Sequence, residues 1–155
     1  MISFPTDITS MGHHGFLSPD GRCYSFDHRA NGYARGEGVG SVIVKRLSDA
    51  ILDGNTIRAV IRGSGVNQDG RTPGISLPSS TAQESLMRKV YASAGLNLED
   101  TMMVEAHGTG TAAGDPIEAS AIARTFSTRS KDIPLFVGAI KSGIGHLEGG
   151  AGIAG

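Results

Sequence analysis

Apolar positions along the chain recur with two different periods. Residues 39–46 (VGSVIVKR) are rich in β-branched side chains. Residues 57–66 (IRAVIRGSGV) set Ile57, Ala59 and Ile61 against Arg58 and Arg62. Both patterns suit a pleated, half-buried surface, so both predict strands. Residues 48–54 between them predict a short helix or turn. The period then lengthens. Over residues 79–95, Leu86, Met87, Val90, Tyr91 and Ala94 share one helical face. Thr81 with Glu84 fits a capping box, and Gly95 is placed to close the helix. Residues 101–106 (TMMVEA) predict a short buried strand, and 134–139 (PLFVGA) another strand. A helix is expected between them over 115–125. Asp115 would cap it, Pro116 suits its first turn, Glu118 sits near its third position, and Ile117, Ala121 and Ile122 face inward. Another helix is expected from near Glu148. Strands alternating with helices argue for an α/β layered fold.

Residues 1–38 carry no sustained period. They hold turn signals at Ser18-Pro19-Asp20-Gly21 and Asn31-Gly32. A long irregular stretch inside a compact domain tends to be functional.

Composition narrows the picture. A chain of 155 residues holds one ordinary domain. Its net charge of -1 gives no electrostatic case for nucleic acid or an anionic membrane. No stretch approaches the roughly 18 apolar residues of a membrane span, and no basic-then-apolar leader opens the chain, so a cytoplasmic setting is expected. Cys23 is the only cysteine, which excludes an internal disulfide. Glycine is the outlier: 23 residues, about twice the usual share. The glycines cluster in 32–40, 108–114 and 143–155, as where backbone must approach something closely or take positive φ.

Two of those clusters carry candidate chemistry. His107-Gly108-Thr109-Gly110-Thr111 follows directly on the strand expected to end at Ala106. The carboxyl end of a strand is the usual ligand position in α/β sheets. The glycines let a substrate lie against backbone, and Thr109 and Thr111 offer hydroxyls. Lys141-Ser142-Gly143-Ile144-Gly145-His146 repeats the arrangement after the strand expected at 134–139. Each loop alone also reads as a glycine-rich turn or a helix start. Together they place two histidines after two neighbouring strands, where both can donate to a developing oxyanion or enolate. Lys141 and Glu118 are expected to form a partly buried pair that fixes the local charge.

VEAHGTGTAAGDPIEA (104–119) and KSGIGHLEGGAGIAG (141–155) closely resemble two signature segments of β-ketoacyl synthases in the thiolase-like superfamily. GFLSPDGRCYSFDHRANGYARGEG (15–38) and IRGSGVNQDGRTPGI (61–75) resemble further segments of type I polyketide synthases, most like the reducing enzymes of fungi. The resemblance spans residues 15–155. It implies a partial thiolase-like α/β layered fold, with residues 1–103 ending the N-terminal half and 104–155 opening the C-terminal half. It implies decarboxylative Claisen condensation of malonyl-type and acyl thioesters. His107, His146 and Lys141 match the family's catalytic residues, and Glu118 supports Lys141. Thr109 and Thr111 match the threonines that contact phosphopantetheine. Substrates would ride on the phosphopantetheine of an acyl carrier protein, with no metal and no directly bound cofactor. The implied partners are carrier and acyltransferase domains of the same megasynthase, in a homodimer.

Two departures stand out. The nucleophile segment, a cysteine at a sharp turn between small residues, is absent from this chain. Cys23 lies in Asp20-Gly21-Arg22-Cys23-Tyr24, a different segment, and is not expected to replace it. Without the nucleophile no acyl-enzyme forms, so the isolated chain is expected to be inactive in condensation. Gly143 stands where the family usually has asparagine, which is expected to loosen that loop. Two rivals are weak. Neither GxxxxGK[ST] nor dinucleotide spacing occurs, which argues against a nucleotide site. His13, His14, His28 and Cys23 lack metal-ligand spacing. A non-catalytic remnant is the alternative from another class.

Overall fold

A computed structural model describes residues 5–74, 76–130 and 132–155. The site is positioned by one β-α-β unit. Strand β1 (Met103–Glu105) lies parallel to β2 (Phe136–Gly138), in the register Met103↔Phe136, Val104↔Val137, Glu105↔Gly138. Both lie inside the segments expected from sequence, but β1 is not buried as expected: Met103 and Glu105 are exposed and only Val104 is half-buried against the core. Helix α4 (Gly114–Thr125) crosses over between them. Parallel strands put their carboxyl ends on one edge. The loops bearing His107 and His146 therefore leave from the same side.

Helix α3 (Ser80–Ala94) packs beside α4. The core between these helices and the sheet is Ala106, Ile122 and Phe126, with Met87, Tyr91, Leu98, Val104 and Leu135 against it. Tyr91 meets Phe126 edge to face at 5.9 Å and shares a 2.8 Å hydrogen bond with the Thr101 hydroxyl. Outside the core, Glu84 accepts from both Arg88 and Arg124, tying the two helices together. Ala121 and Ile122 are buried as expected, and Ile117 is half-buried. The apolar stripe of α3 serves two neighbours. Met87 and Tyr91 face the core, while Leu86, Val90 and Ala94 abut Gly63 and Gly65, where an added Cβ would lie 2.6–3.2 Å from them.

Gly95 closes α3 in the left-handed region, at φ 62° and ψ 33°, as expected. The amino end differs. Ser79, not Thr81, is the cap, and its hydroxyl accepts from the Ala82 amide. Glu84 is drawn to the arginines instead, because a charge-assisted pair outcompetes a backbone N–H. Helix α4 also lacks the expected cap. Its N-cap is Ala113, and Asp115 lies inside the first turn with its carboxylate aimed back across the preceding loop.

Residues 39–46 and 57–66 form no strand among the described residues. The short helix between them is present as α2 (Leu47–Leu52). β-propensity alone does not make a strand; a ladder partner must supply the other half of each hydrogen bond. No described segment does so here, and Val39, Ile43 and Val66 stand 97%, 101% and 92% exposed. The two segments instead flank an open space of about 290 Å³, lined by Ile43, Val44, Ile57 and Val60. The irregular start holds helix α1 (Pro5–His13), then a strap without regular structure. After β2 come helix α5 (Lys141–Ile144), a 3-10 turn at Glu148–Gly150 and helix α6 (Ala151–Ala154), matching the helix expected near Glu148.

Candidate functional site

The strap of residues 17–36 binds both histidine loops. The Gly32 amide donates to the Gly110 carbonyl. The Ser25 hydroxyl donates to the Gly108 carbonyl. Arg35 bridges His146 in parallel: the His146 amide donates to Ala34 at 2.7 Å, and the Gly36 amide donates to His146 at 2.9 Å. A stretch with no hydrophobic period thus gains its order from backbone exchange with the site loops. Two glycines make the approach possible. Gly110 has φ 78°, and a Cβ there would meet the Tyr24 nitrogen at 2.5 Å. Gly145 has φ 74°, and a Cβ there would meet Arg35 backbone at 3.0 Å.

Carboxylates hold the His107 loop from inside. Glu118 accepts from the His107 amide at 2.7 Å with one oxygen and from the Gly108 amide at 2.9 Å with the other. Asp115, buried, accepts from the amides of Phe26 at 2.7 Å, Gly110 at 3.1 Å and Thr111 at 3.3 Å. Asp115 is thereby the knot between the strap and the loop. Sequence reasoning gave it only a capping role. The signal in the chain was its place four residues after Thr111, within reach of a turn of donors, but its strongest donor is 89 residues away.

His107 and His146 meet. Their ring centroids lie 5.4 Å apart with the planes at 88°. Tyr33 also packs against His146, with ring centroids 5.2 Å apart. Nδ1 of His146 accepts the Glu148 amide at 2.9 Å. An accepting Nδ1 carries no proton, so the neutral ring bears its hydrogen on Nε2. Partial desolvation pushes both imidazoles below the ordinary histidine pKa, although His107 is solvent-exposed and His146 half-buried. The Lys141 cation adds to that effect at His107, while the Glu148 carboxylate opposes it at His146. Both rings thus favour the neutral form near pH 7, in which each carries one N–H donor.

Lys141 is buried, 6% exposed, in the first turn of α5. The expected ion pair between Lys141 and Glu118 is not formed; both Glu118 oxygens are taken by backbone amides. The two adjacent amides bind the carboxylate with one oxygen each, which aims Glu118 at the loop backbone. Thr109 is buried, and its hydroxyl lies 3.2 Å from that of Thr111. Beside Thr111, a cleft of about 390 Å³ runs between Phe26, Ala112, Pro116 and Ala119. Cys23 lies within the strap, 4% exposed, its sulfur accepting from the Ala34 amide at 3.1 Å. Burial raises its thiol pKa, the opposite of what a nucleophile needs. Sequence reasoning also missed Ser25, Arg35 and Glu148, whose roles come from contacts across the chain. Among the described residues no group of three or more His, Cys, Asp or Glu is arranged to hold a metal. No helix of the described residues is long and apolar enough to cross a membrane.

Known proteins are similar to this chain in sequence and fold. The family model for the β-ketoacyl synthase N-terminal domain matches residues 1–50, and that for the C-terminal domain matches residues 58–155. Highly reducing polyketide synthase 40 of Fusarium mangiferae is 62% identical over 152 residues, covering 97% of this chain. A highly reducing polyketide synthase of Pyricularia oryzae is 64% identical over 141 residues, covering 90% of it. The chain spans 6% and 5% of those two proteins. The ketosynthase from module 6 of the bacillaene synthase of Bacillus subtilis 168 superposes with a TM-score of 0.94 at 44% identity, over 99% of this chain and 28% of that one. The oxazolomycin ketosynthase domain of Streptomyces albus gives 0.93 at 42%, over 98% and 26%. The chain belongs to the β-ketoacyl synthase family, as part of a polyketide-synthase ketosynthase domain with a thiolase-like fold.

Proposed function

We propose that this chain supplies the decarboxylation and oxyanion machinery of a decarboxylative Claisen condensation. The observation that carries the reading is the meeting of His107 and His146 at one sheet edge, 5.4 Å between rings, with Nδ1 of His146 committed as an acceptor. Two neutral N–H donors aimed at one region stabilise the enolate oxygen left when a malonyl thioester loses CO2. The enolate carbon then attacks an acyl thioester, forming the C–C bond and expelling the thiolate that carried the acyl group. Lys141 supplies a fixed positive charge close to His107 and to the malonyl carboxylate. Glu118 orients the His107 loop through backbone rather than by pairing with Lys141. Thr111, which lines the cleft, and the buried Thr109, whose hydroxyl lies 3.2 Å from that of Thr111, are assigned to the phosphopantetheine arm.

The acyl-carrying cysteine is proposed to come from sequence outside this chain. Cys23 is buried and poorly ionised, which supports that assignment. Carrier and acyltransferase domains of the same synthase are the proposed partners, and a homodimer the proposed assembly. The compartment that fits this chemistry is cytoplasmic. We propose a boundary between the two halves of the fold near 103–104, inside β1 (Met103–Glu105), whereas the N- and C-terminal family models match residues 1–50 and 58–155.

The test compares the isolated chain with the synthase that carries it. Both are given an acyl thioester and a malonyl thioester, and products and intact mass are followed. The synthase is expected to form a β-ketoacyl thioester. The isolated chain is expected to form none and to gain no acyl mass. An acyl adduct on Cys23 would reverse the assignment of the nucleophile. A synthase that condenses equally well with His107 and His146 both replaced by alanine would end the reading and favour a non-catalytic remnant.

A further inference from the structure

Glu148 has a backbone φ of 52°, one of two non-glycine residues at positive φ among the described residues. Side chains rarely adopt that region, and they hold it only when their surroundings over-determine it. Three contacts do so here. The Glu148 carboxylate lies 3.1 Å from Arg35 Nη1, with the Arg35 side chain 9% exposed. Leu147, the preceding residue, wedges against Gly36 and Gly38, where a Cβ would meet its methyls at 2.9 and 2.5 Å. The Glu148 amide, aimed by this twist, donates to His146 Nδ1 at 2.9 Å. Arg35 also sits between Ala34 and Gly36, the two residues that exchange backbone hydrogen bonds with His146.

We propose that Arg35 and Glu148 are positioning residues for His146. Their half-buried ion pair holds the 147–148 turn in its twisted form, so that the Glu148 amide keeps Nδ1 as an acceptor and Nε2–H faces the substrate. Neither residue touches the reacting atoms. Without the pair the turn relaxes toward negative φ, the amide swings off Nδ1, and the ring is free to carry its hydrogen on either nitrogen. This rests on the reading of His146 as a hydrogen-bond donor in catalysis.

The test uses the synthase that carries this chain, with Glu148→Gln, Arg35→Met, Arg35→Lys and His146→Ala variants. Decarboxylation of a malonyl thioester gives kcat and KM, and 15N spectra of labelled histidine give the His146 tautomer. Loss of a tautomer-fixing partner should lower kcat roughly tenfold with KM within about twofold. The His146 signals should shift from a pure Nε2–H form to a mixture in Glu148→Gln and Arg35→Met. Arg35→Lys should recover most of the rate. The proposal fails if both replacements leave the tautomer pure, whether or not activity falls with the amount of folded protein. It also fails if the tautomer mixes while kcat stays unchanged. If His146→Ala itself leaves kcat unchanged, the underlying role of His146 is lost, while the tautomer spectra still decide whether the pair positions the ring.

Discussion

His107 and His146 lie 39 positions apart in sequence and meet edge to face, their ring planes at 88°. The parallel pairing of β1 with β2 brings this about, since it sends both loops off one edge. The strap then locks each loop by backbone exchange, through Gly32 to Gly110 and through Ala34 and Gly36 to His146.

Replacing either histidine by alanine in the synthase is expected to slow malonyl decarboxylation roughly 10²–10³-fold. The double replacement should cost less than the product of the two, because residues acting on one oxygen act as a unit. Release of CO2 at saturating substrate measures this. Fully multiplicative losses would show that the histidines serve different atoms.

Acid should weaken the fold through these rings. Partial desolvation holds both folded pKa values below the unfolded value near 6.5. Between those values the unfolded chain binds more protons than the folded one, so stability rises with pH across that window. It is lost as pH falls below about 6.5, and the slope vanishes below the folded pKa values. Melting temperatures at several pH values from 7.5 downward should fall more for the native sequence than for the His107→Gln, His146→Gln pair. Equal falls would place the acid sensitivity elsewhere.

Asp115→Ala should be among the most damaging single changes outside the histidines. It removes the shared acceptor of three backbone amides, at Phe26, Gly110 and Thr111. Each buried charge-assisted bond is worth about 1.5–3 kcal/mol, so a loss of about 3 kcal/mol or more is expected. Denaturant titration of the ketosynthase domain reads the loss directly. A change below about 1 kcal/mol would mean that water replaces the carboxylate.

Two glycines should respond in opposite ways. Gly110→Ala forces a Cβ to 2.5 Å from the Tyr24 nitrogen at φ 78°, and should cost about 2–4 kcal/mol from left-handed strain and overpacking together. Gly143 has nothing within 4 Å of a built Cβ and lies inside α5. Gly143→Asn should therefore be accepted, changing stability by less than about 1 kcal/mol. Thermal melts of the two variants side by side separate them.

Cys23 should resist modification. Its thiol is buried and held protonated by that burial, so alkylation by iodoacetamide at pH 7.5 should wait on unfolding. Labelling followed by mass spectrometry with and without denaturant checks this. Rapid native labelling would mean that the strap opens readily.

The sequence by itself determined what local chemistry governs. The cap at Gly95, helix α3 with its apolar stripe, the two short strands and the helix between them all follow from side-chain period and backbone preference. So did the pairing of His107 with His146, because each follows a strand in one β-α-β unit. Tertiary structure decided everything that depends on which groups compete for a partner. Residues 39–46 and 57–66 have strand composition but no ladder among the described residues, since a ladder is half made by someone else's backbone. Glu118 looked like the partner of Lys141, yet its two oxygens accept from the His107 and Gly108 amides. Asp115 looked like a cap, yet its nearest donor is the Phe26 amide, far upstream. Arg35 and Glu148 carried no local signal at all. Their ion pair exists only because the strap crosses the end of the chain, and no pattern of neighbours in sequence encodes that crossing.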